Sequence, residues 1–199
     1  VAPPHLGDES KRMVEEMAST LAALGHEVEW RDPDWGGIGN QISARYLGGI
    51  AADVDATPHP EKLEPLTRGY GRLARIAAPG WAVRRALRLE ERYRDRVGVI
   101  FKDHDVLLTP MTAGPAFEHG RFSKRGALRC LLGESRFYPY AVAWNYTGQP
   151  AASIPAGLSS DGLPLAVQVV GRPNDEETLL SLAAQLERER PWAQHRPSV

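Results

Sequence analysis

Residues 145–171 decide the fold and read Asn-Tyr-Thr-Gly-Gln-Pro-Ala-Ala-Ser-Ile-Pro-Ala-Gly, Leu-Ser-Ser-Asp-Gly and Leu-Pro-Leu-Ala-Val-Gln-Val-Val-Gly. Ser153 and Ile154 suit one extended segment. A second run alternates between two faces, with Leu165, Val167 and Val169 on one and Gln168 and Val170 on the other. Between the runs, Asp161 and Gly162 supply the left-handed backbone that a tight reversal needs. The pattern predicts a strand, a turn and a strand.

Prolines at 150, 155 and 164 restrict how these strands pair. Each proline lacks the backbone N–H of a sheet ladder, so it belongs at a strand start, a bulge or an edge. A segment with so many prolines and glycines has little conformational freedom. We therefore expect a fixed wall here rather than a mobile loop, although a hairpin of this kind is compatible with any α/β protein.

Short motifs in this stretch follow one another in a distinctive order. They are Asn145, Thr-Gly-Gln-Pro-Ala at 147–151, Ile-Pro-Ala-Gly at 154–157, Gly-Leu-Pro at 162–164, Val-Gln at 167–168 and Val-Gly-Arg-Pro at 170–173. In order and spacing they resemble the C-terminal part of the amidase signature family, whose members hydrolyse carboxamides. The resemblance continues into Glu176, Glu177 and Pro191-Trp192, and extends weakly to residues 24–28 and 105–110.

The resemblance implies an α/β fold in which a mixed β-sheet is flanked by helices. It also implies that residues 1–199 form a single C-terminal segment of an amidase domain. Val1 is not a methionine, and Val1-Ala2-Pro3-Pro4 reads as a chain leaving an earlier element. The expected partner is therefore the N-terminal half of the same amidase, encoded before Val1.

The catalytic groups of that family have no counterpart in this sequence. The family uses a lysine and two serines, with the nucleophilic serine beyond a Gly/Ser-rich run whose N–H groups stabilise the oxyanion. No such run is present, and the four lysines fall outside any resemblance to the lysine motif: Lys11, Lys62, Lys102 and Lys124. We therefore expect no catalytic residue in this chain and no activity from it alone.

The resemblance does suggest residues that line the pocket of a small-molecule amide substrate. Carried over position by position, they are Met111, Thr112, Tyr138, Trp144 and Asn145. Such a pocket is mostly apolar and aromatic, with no fixed charge at these positions. The sequence departs from the family at Ala-Val-Ala-Trp, residues 141–144, where smaller or Phe-type residues are commoner, so the acyl preference of a relative does not transfer. Judged only by how often aromatic side chains are buried in proteins, the aromatic residues here belong to a hydrophobic core more often than to the wall of a ligand pocket.

Two other functions remain open. One, within the same fold, is the subunit of a glutamine-dependent amidotransferase that frees ammonia from glutamine. Such a subunit is expected to hold the substrate amino group with an acidic residue near Tyr138, and the aromatic residue at that position disfavours this alternative. The other is a non-catalytic binding or scaffold module that keeps the sheet without the active half. An isolated sheet with open edges also favours association, for instance as a homodimer.

The amino-acid composition indicates the class of protein, its partners and its redox environment. The chain has 199 residues, 42% hydrophobic and 25% charged, which is an ordinary globular composition. Its net charge of -1 predicts neither nucleic acid nor an anionic membrane as a partner. The single Cys130 cannot form an internal disulfide and suits the reducing cytoplasm. No apolar run approaches a membrane span, and no leader pattern is present.

Other chemical motifs are weak. Gly69-Tyr-Gly71-Arg-Leu-Ala74 mimics a dinucleotide fingerprint, but no strand precedes it. The segment Gly-Glu-Ser-Arg-Phe at 133–137 is one glycine short of a nucleophile elbow. Six histidines at 5, 26, 59, 104, 119 and 195 never pair at ligand spacing, so neither a metal nor a cofactor is expected. Asp103-His104-Asp105 is interpreted as hydrogen-bonded surface groups.

Periodicity predicts the remaining elements. Helices are expected from Asp8 to Gly25, over residues 42–54 with an interruption at Gly48-Gly49, from Trp81 to Phe101, and after a capping pair of Asn174 and Glu177. Residues 26–30 are predicted as a half-buried strand and residues 105–109 as a buried strand. Residues 117–136 are the least core-like stretch and are predicted to form a lid or an exposed loop.

Overall fold

A computed structural model describes residues 6–122 and 124–193, which form two compact units. The first unit comprises Val1–Asp32, Ile100–Ala116 and Gly148–Val199, and the second comprises Pro33–Val99 and Phe117–Thr147. The predicted leading segment at Val1–Pro4, together with His5 and His195, lies outside the described residues.

The secondary structure alternates helices with short strands. In chain order the helices are α1 (Asp8–Ala23), α2 (Gly39–Ala56), α3 (Pro65–Ala77), α4 (Gly80–Gly98), α5 (Ala127–Ser135), α6 (Val142–Thr147) and α7 (Glu176–Glu189). The strands are β1 (Val106–Pro110), β2 (Ala151–Leu158) and β3 (Pro164–Gly171). Short 3-10 helices cover Pro60–Lys62 and Val99–Lys102. The predicted α/β class is confirmed.

The first unit is built on the sheet, whose described strands pair antiparallel in the order β1-β3-β2. Helices α1 and α7 cover one face of it. The alternation predicted for β3 is confirmed, because Leu165, Val167 and Val169 all enter the core on this face. Their partners there come from β2, α1 and α7: Ile154, Ala156, Met13, Val14, Met17, Leu21, Leu179, Leu182 and Leu186.

The turn between β2 and β3 forms as expected. Gly162 has a φ of 76°, and its N–H donates to the Ser159 carbonyl over 2.9 Å. The Ser159 hydroxyl accepts the N–H of Leu163 over 3.1 Å, which closes the turn from within. Pro155 lies where the β2–β3 register shifts, so a bulge accommodates its missing donor, as predicted.

The second unit is helical. Leu47, Ala74 and Ala78 form a small core there, with Val83 and Leu131 packed against it. Glycines let the helices approach: a Cβ on Gly48 would lie 2.6 Å from Val83 Cγ2. The interruption predicted at Gly48-Gly49 is therefore wrong, since α2 runs through both glycines and uses the first as a packing surface.

The dinucleotide-like motif is part of this packing. Gly69 and Gly71 both lie inside α3, and a Cβ on Gly71 would meet Val54 Cγ1 at 3.0 Å. A phosphate-binding loop would need a strand and a turn before the helix. The rejection of the motif is confirmed, and its glycines serve contacts between helices.

The strand predicted at residues 26–30 is wrong. These residues are irregular, with Val28 43% and Trp30 71% exposed. Side-chain hydrogen bonds, rather than the backbone hydrogen bonds of a sheet, attach this segment to its neighbours. His26 Nε2 lies 2.9 Å from Gln185 Oε1, and Glu29 Oε2 lies 3.0 Å from His104 Nε2. An alternating sequence forms a strand only where a neighbouring backbone can pair with it.

Three further expectations need correction. β1 is half-buried along its length rather than buried, because it is an edge of the described sheet. Within residues 117–136, α5 forms and its Cys130 is fully buried, so the stretch is not simply a loop. The cap of α7 is Asp175, which makes no side-chain cap bond, while Asn174 adopts a left-handed φ of 62°.

Candidate functional site

The five predicted pocket residues fall into two groups. Met111 and Thr112 belong to the first unit; Tyr138, Trp144 and Asn145 belong to the second. The local structure around each group is different, and the order of the residues in the sequence does not predict it.

Met111 and Thr112 follow directly after β1, where the ladder with β3 ends. The N–H of Met111 donates to the Ala166 carbonyl over 3.3 Å. The Thr112 hydroxyl donates to the Gly114 carbonyl over 2.8 Å and tightens the turn. Nearby, the N–H of Gly7 donates to the Ala113 carbonyl over 2.7 Å. Backbone bonds therefore fix the chain as it leaves the strand.

Trp144 and Asn145 are neighbours on α6 but differ in environment. Trp144 is 2% exposed, and its indole ring packs against that of Trp35 with centroids 5.5 Å apart. Asn145 is exposed. Among the described residues, Trp144 Nε1 has no hydrogen-bond partner. A buried N–H without an acceptor lowers the free energy of unfolding by about 1–3 kcal/mol. Aromatic packing alone does not require an N–H at this position.

Trp35 lies on a short loop before α2 and is itself 37% exposed. Gly36 and Gly37 both have left-handed backbones there, with φ of 48° and 77°. Two contacts anchor the loop: Asp34 Oδ2 lies 2.8 Å from Arg96 Nε, and the Tyr93 hydroxyl donates to the Gly36 carbonyl over 3.2 Å. Exposed ion pairs contribute about 0–1 kcal/mol, so this anchor is weak.

Tyr138 lies just beyond α5 and is half-buried beside the carboxylate of Glu134. The sequence interpretation missed Glu134. The Tyr70 hydroxyl donates to Glu134 Oε2 over 3.0 Å, which links α3 to α5. Burial first, then the charge of Glu134, raises the pKa of Tyr138 to about 12 and raises that of Tyr70 as well. The four-residue spacing of Glu134 and Tyr138 was a usable signal; Tyr70, distant in sequence, carried none.

The tyrosine pKa shifts predict a loss of stability in alkali. A raised folded pKa contributes stability that is fully present below the unfolded value of 10.0 and is lost as the pH rises towards about 12. We expect tyrosinate absorbance to show late-titrating tyrosines, with unfolding in the same pH window. Glu134→Gln should make them titrate earlier, whereas Glu91→Gln, on the exposed side of α4, should not. Titration of every tyrosine near pH 10 would contradict this assignment.

The weaker motifs provide no reactive constellation. Ser135 lies at the end of α5, and its hydroxyl donates to the Leu132 carbonyl over 3.2 Å, so no strand-to-helix elbow exists there. His104 and its two acidic neighbours are paired separately, to Glu29, Arg31 and Arg172, as expected of surface groups. Across residues 6–122 and 124–193, no three His, Cys, Asp or Glu side chains gather in a way that could hold a metal ion.

Two surface depressions, one in each unit, lie away from the predicted pocket residues. One of about 430 Å³ in the first unit is lined by residues of α1 and by Arg190. Another, of about 310 Å³ in the second unit, lies between α2 and α4 beside Trp81. Neither includes a predicted pocket residue. In the described part of the chain, no helix is both long enough and apolar enough to span a membrane.

Comparison with known proteins gives consistent matches. A family model described as Amidase matches residues 3–180. The Mycobacterium tuberculosis (strain ATCC 25618 / H37Rv) protein AmiB2 is 43% identical over 200 residues, covering 99% of this chain and 43% of that protein. The structure of a 6-aminohexanoate cyclic dimer hydrolase superposes with a TM-score of 0.81 at 27% identity, over 97% of this chain and 44% of that one.

A third match is shorter. A glutamyl-tRNA(Gln) amidotransferase subunit of Xanthobacter autotrophicus (strain ATCC BAA-1158 / Py2) is 43% identical over 94 residues, which is 47% of this chain and 18% of that protein. The chain thus spans less than half the length of each of these relatives.

Proposed function

The chain belongs to the amidase signature family, and from that premise we propose that it is the C-terminal segment of a hydrolase that cleaves carboxamide C–N bonds. In this proposal, the chain supplies strands of the sheet and part of the substrate pocket. The reaction proceeds through an acyl-enzyme, with the two serines and the lysine contributed by residues outside this sequence. The observation that carries the proposal is the match to AmiB2 along 99% of the chain.

The polar groups of the described residues support this division of labour. Ser19, Ser43 and Ser135 each donate their hydroxyl to a nearby backbone carbonyl, and Lys11 pairs with Glu15 on the solvated face of α1. A nucleophilic hydroxyl needs an adjacent base and donors aimed at the developing oxyanion. None of these serines has that environment.

The pocket residues have the properties that a wall for an amide needs. Met111 and Thr112 leave a strand whose ladder fixes their backbone, and Tyr138 offers a half-buried aromatic ring. The indole of Trp144 is buried against that of Trp35. Such surfaces hold the apolar part of a small molecule, and a few polar groups orient it. We therefore assign Met111, Thr112, Tyr138, Trp144 and Asn145 to the substrate pocket of this hydrolase.

The test is reconstitution. The chain is purified alone and also after co-expression with the part of AmiB2 that it does not match, and hydrolysis of a simple anilide is measured. We expect no turnover by the chain alone or by the complement alone, and turnover by the two together. Cleavage by the isolated chain would overturn the proposal. A stable chain that binds ligand and gains no activity in a complex would favour a binding module.

Two observations favour a second candidate, the glutamine-dependent amidotransferase. One is the similarity over 94 residues to the Xanthobacter protein. The other is the carboxylate of Glu134 beside Tyr138, where such an enzyme is expected to hold an amino group. The same reconstituted complex separates the two: ammonia released from glutamine but not from simple amides would favour this candidate.

A further inference from the structure

The indole of Trp144 combines two properties that seldom occur together. It is 2% exposed, and its Nε1–H has no hydrogen-bond partner among residues 6–122 and 124–193. A phenylalanine would supply aromatic packing without a donor to satisfy. The unpaired donor therefore points to an acceptor that the described residues do not supply.

The missing partner must be an acceptor, because an indole N–H only donates. A carbonyl oxygen meets that requirement and an ammonium group does not. The ring of Trp35 packs against that of Trp144, with centroids 5.5 Å apart and ring planes tilted by 55°. Trp35 is 37% exposed, so its ring, unlike that of Trp144, reaches solvent.

Moving Trp35 requires the release of its loop. The loop is anchored by the exposed pair of Asp34 and Arg96 and by the hydrogen bond from Tyr93 to Gly36. The Arg96 guanidinium also lies against Gly36, because a Cβ added to Gly36 would be 2.3 Å from the Cζ atom of Arg96. A weak, solvent-exposed anchor is easily released, whereas a buried donor gains more from being paired.

We propose that Trp144 Nε1–H donates a hydrogen bond to the carbonyl oxygen of the carboxamide substrate, and that Trp35 is a cover which moves aside to admit it. This inference rests on the proposed function, since the ligand is the substrate of that pocket. Trp144 is then a residue that orients the substrate. Its position lies in the segment where this sequence departs from the family pattern, so the contact is specific to chains with tryptophan there.

The test follows the indole N–H by NMR in the full chain labelled with 15N-tryptophan. The five tryptophans are at 30, 35, 81, 144 and 192. The Trp144 signal is assigned by elimination, from single Trp→Phe variants at the other four positions. The probes are hexanamide, which offers a carbonyl acceptor, and hexylammonium, which has the same number of carbon atoms but only donors. Hexanamide should move the Trp144 signal and hexylammonium should leave it in place.

Two variants should change hexanamide affinity in opposite directions. Asp34→Ala removes the ion pair that anchors the cover, so binding should tighten by up to about fivefold. Trp144→Phe removes the donor, so binding should weaken by up to about tenfold. Asp53→Ala, on the exposed side of α2, is the matched control and should have no effect.

A Trp144 signal that stays unmoved at saturating hexanamide, in both the unaltered chain and Asp34→Ala, would overturn the inference. An equal response to hexylammonium would do the same. Neither result depends on Trp144→Phe being folded. Hydrolysis by the reconstituted enzyme is measured separately, so loss of the indole contact and loss of amidase activity are distinguishable outcomes.

Discussion

Trp144→Ala is expected to lower the free energy of unfolding by about 3–5 kcal/mol, the usual cost of deleting a buried aromatic side chain. Trp144 is 2% exposed, and its ring packs on Trp35 inside the second unit. Removing it leaves a cavity and takes away a contact that holds the loop before α2. Chemical denaturation followed by circular dichroism measures the change.

Trp81→Ala is the matched control, because Trp81 is 64% exposed at the start of α4. Its substitution should change the free energy of unfolding by less than about 0.5 kcal/mol. Equal losses for the two variants would contradict the assignment of Trp144 to the interior. Comparison with Trp144→Phe then separates packing from hydrogen bonding, since phenylalanine keeps a ring and deletes only the donor and part of the volume.

Leu186→Ala is expected to destabilise the first unit by about 2–5 kcal/mol. Leu186 is fully buried on α7 and belongs to the cluster that covers one face of the sheet. The same helix carries Leu180, which is 70% exposed. Leu180→Ala should therefore be nearly neutral, within about 0.5 kcal/mol.

This pair tests the orientation of α7 on the sheet. Both substitutions have the same intrinsic effect on helix propensity, so the difference between them reports burial. If Leu180→Ala cost as much as Leu186→Ala, the buried stripe would be on the wrong side of the helix. In the reconstituted enzyme, Leu186→Ala should lower activity only as far as it lowers the folded fraction.

The two strands of the hairpin were predictable because their determinants are local. Alternation in β3, the left-handed Gly162 and the donor-free Pro155 each act over a few residues, and the structure contains the face, the turn and the bulge that they predict. The apolar stripe of α7, formed by Leu179, Leu182 and Leu186, was predictable for the same reason, because these residues recur at helical spacing. Its cap was not, because Asn174 and Asp175 both suit a cap and the backbone chooses between them.

The errors share another cause. Residues 26–30 alternate as a strand should but join no ladder of the described sheet. Gly48 lies within a helix, where the absence of a side chain leaves space for Val83. For Tyr138, its neighbour Glu134 was visible in the sequence, but Tyr70 comes from α3, far along the chain. Strand pairing, the packing of helices at a glycine and side-chain contacts between distant residues all depend on where segments far apart in the sequence meet.

The amino-acid sequence by itself determined the family and the β2–β3 hairpin, since motifs and short-range geometry are written in consecutive residues. The tertiary structure alone decided that Trp144 is buried with an unpaired N–H and a ring contact to Trp35, and that Glu134 lies against two tyrosines. Burial and hydrogen-bond satisfaction are properties of neighbours brought together by folding.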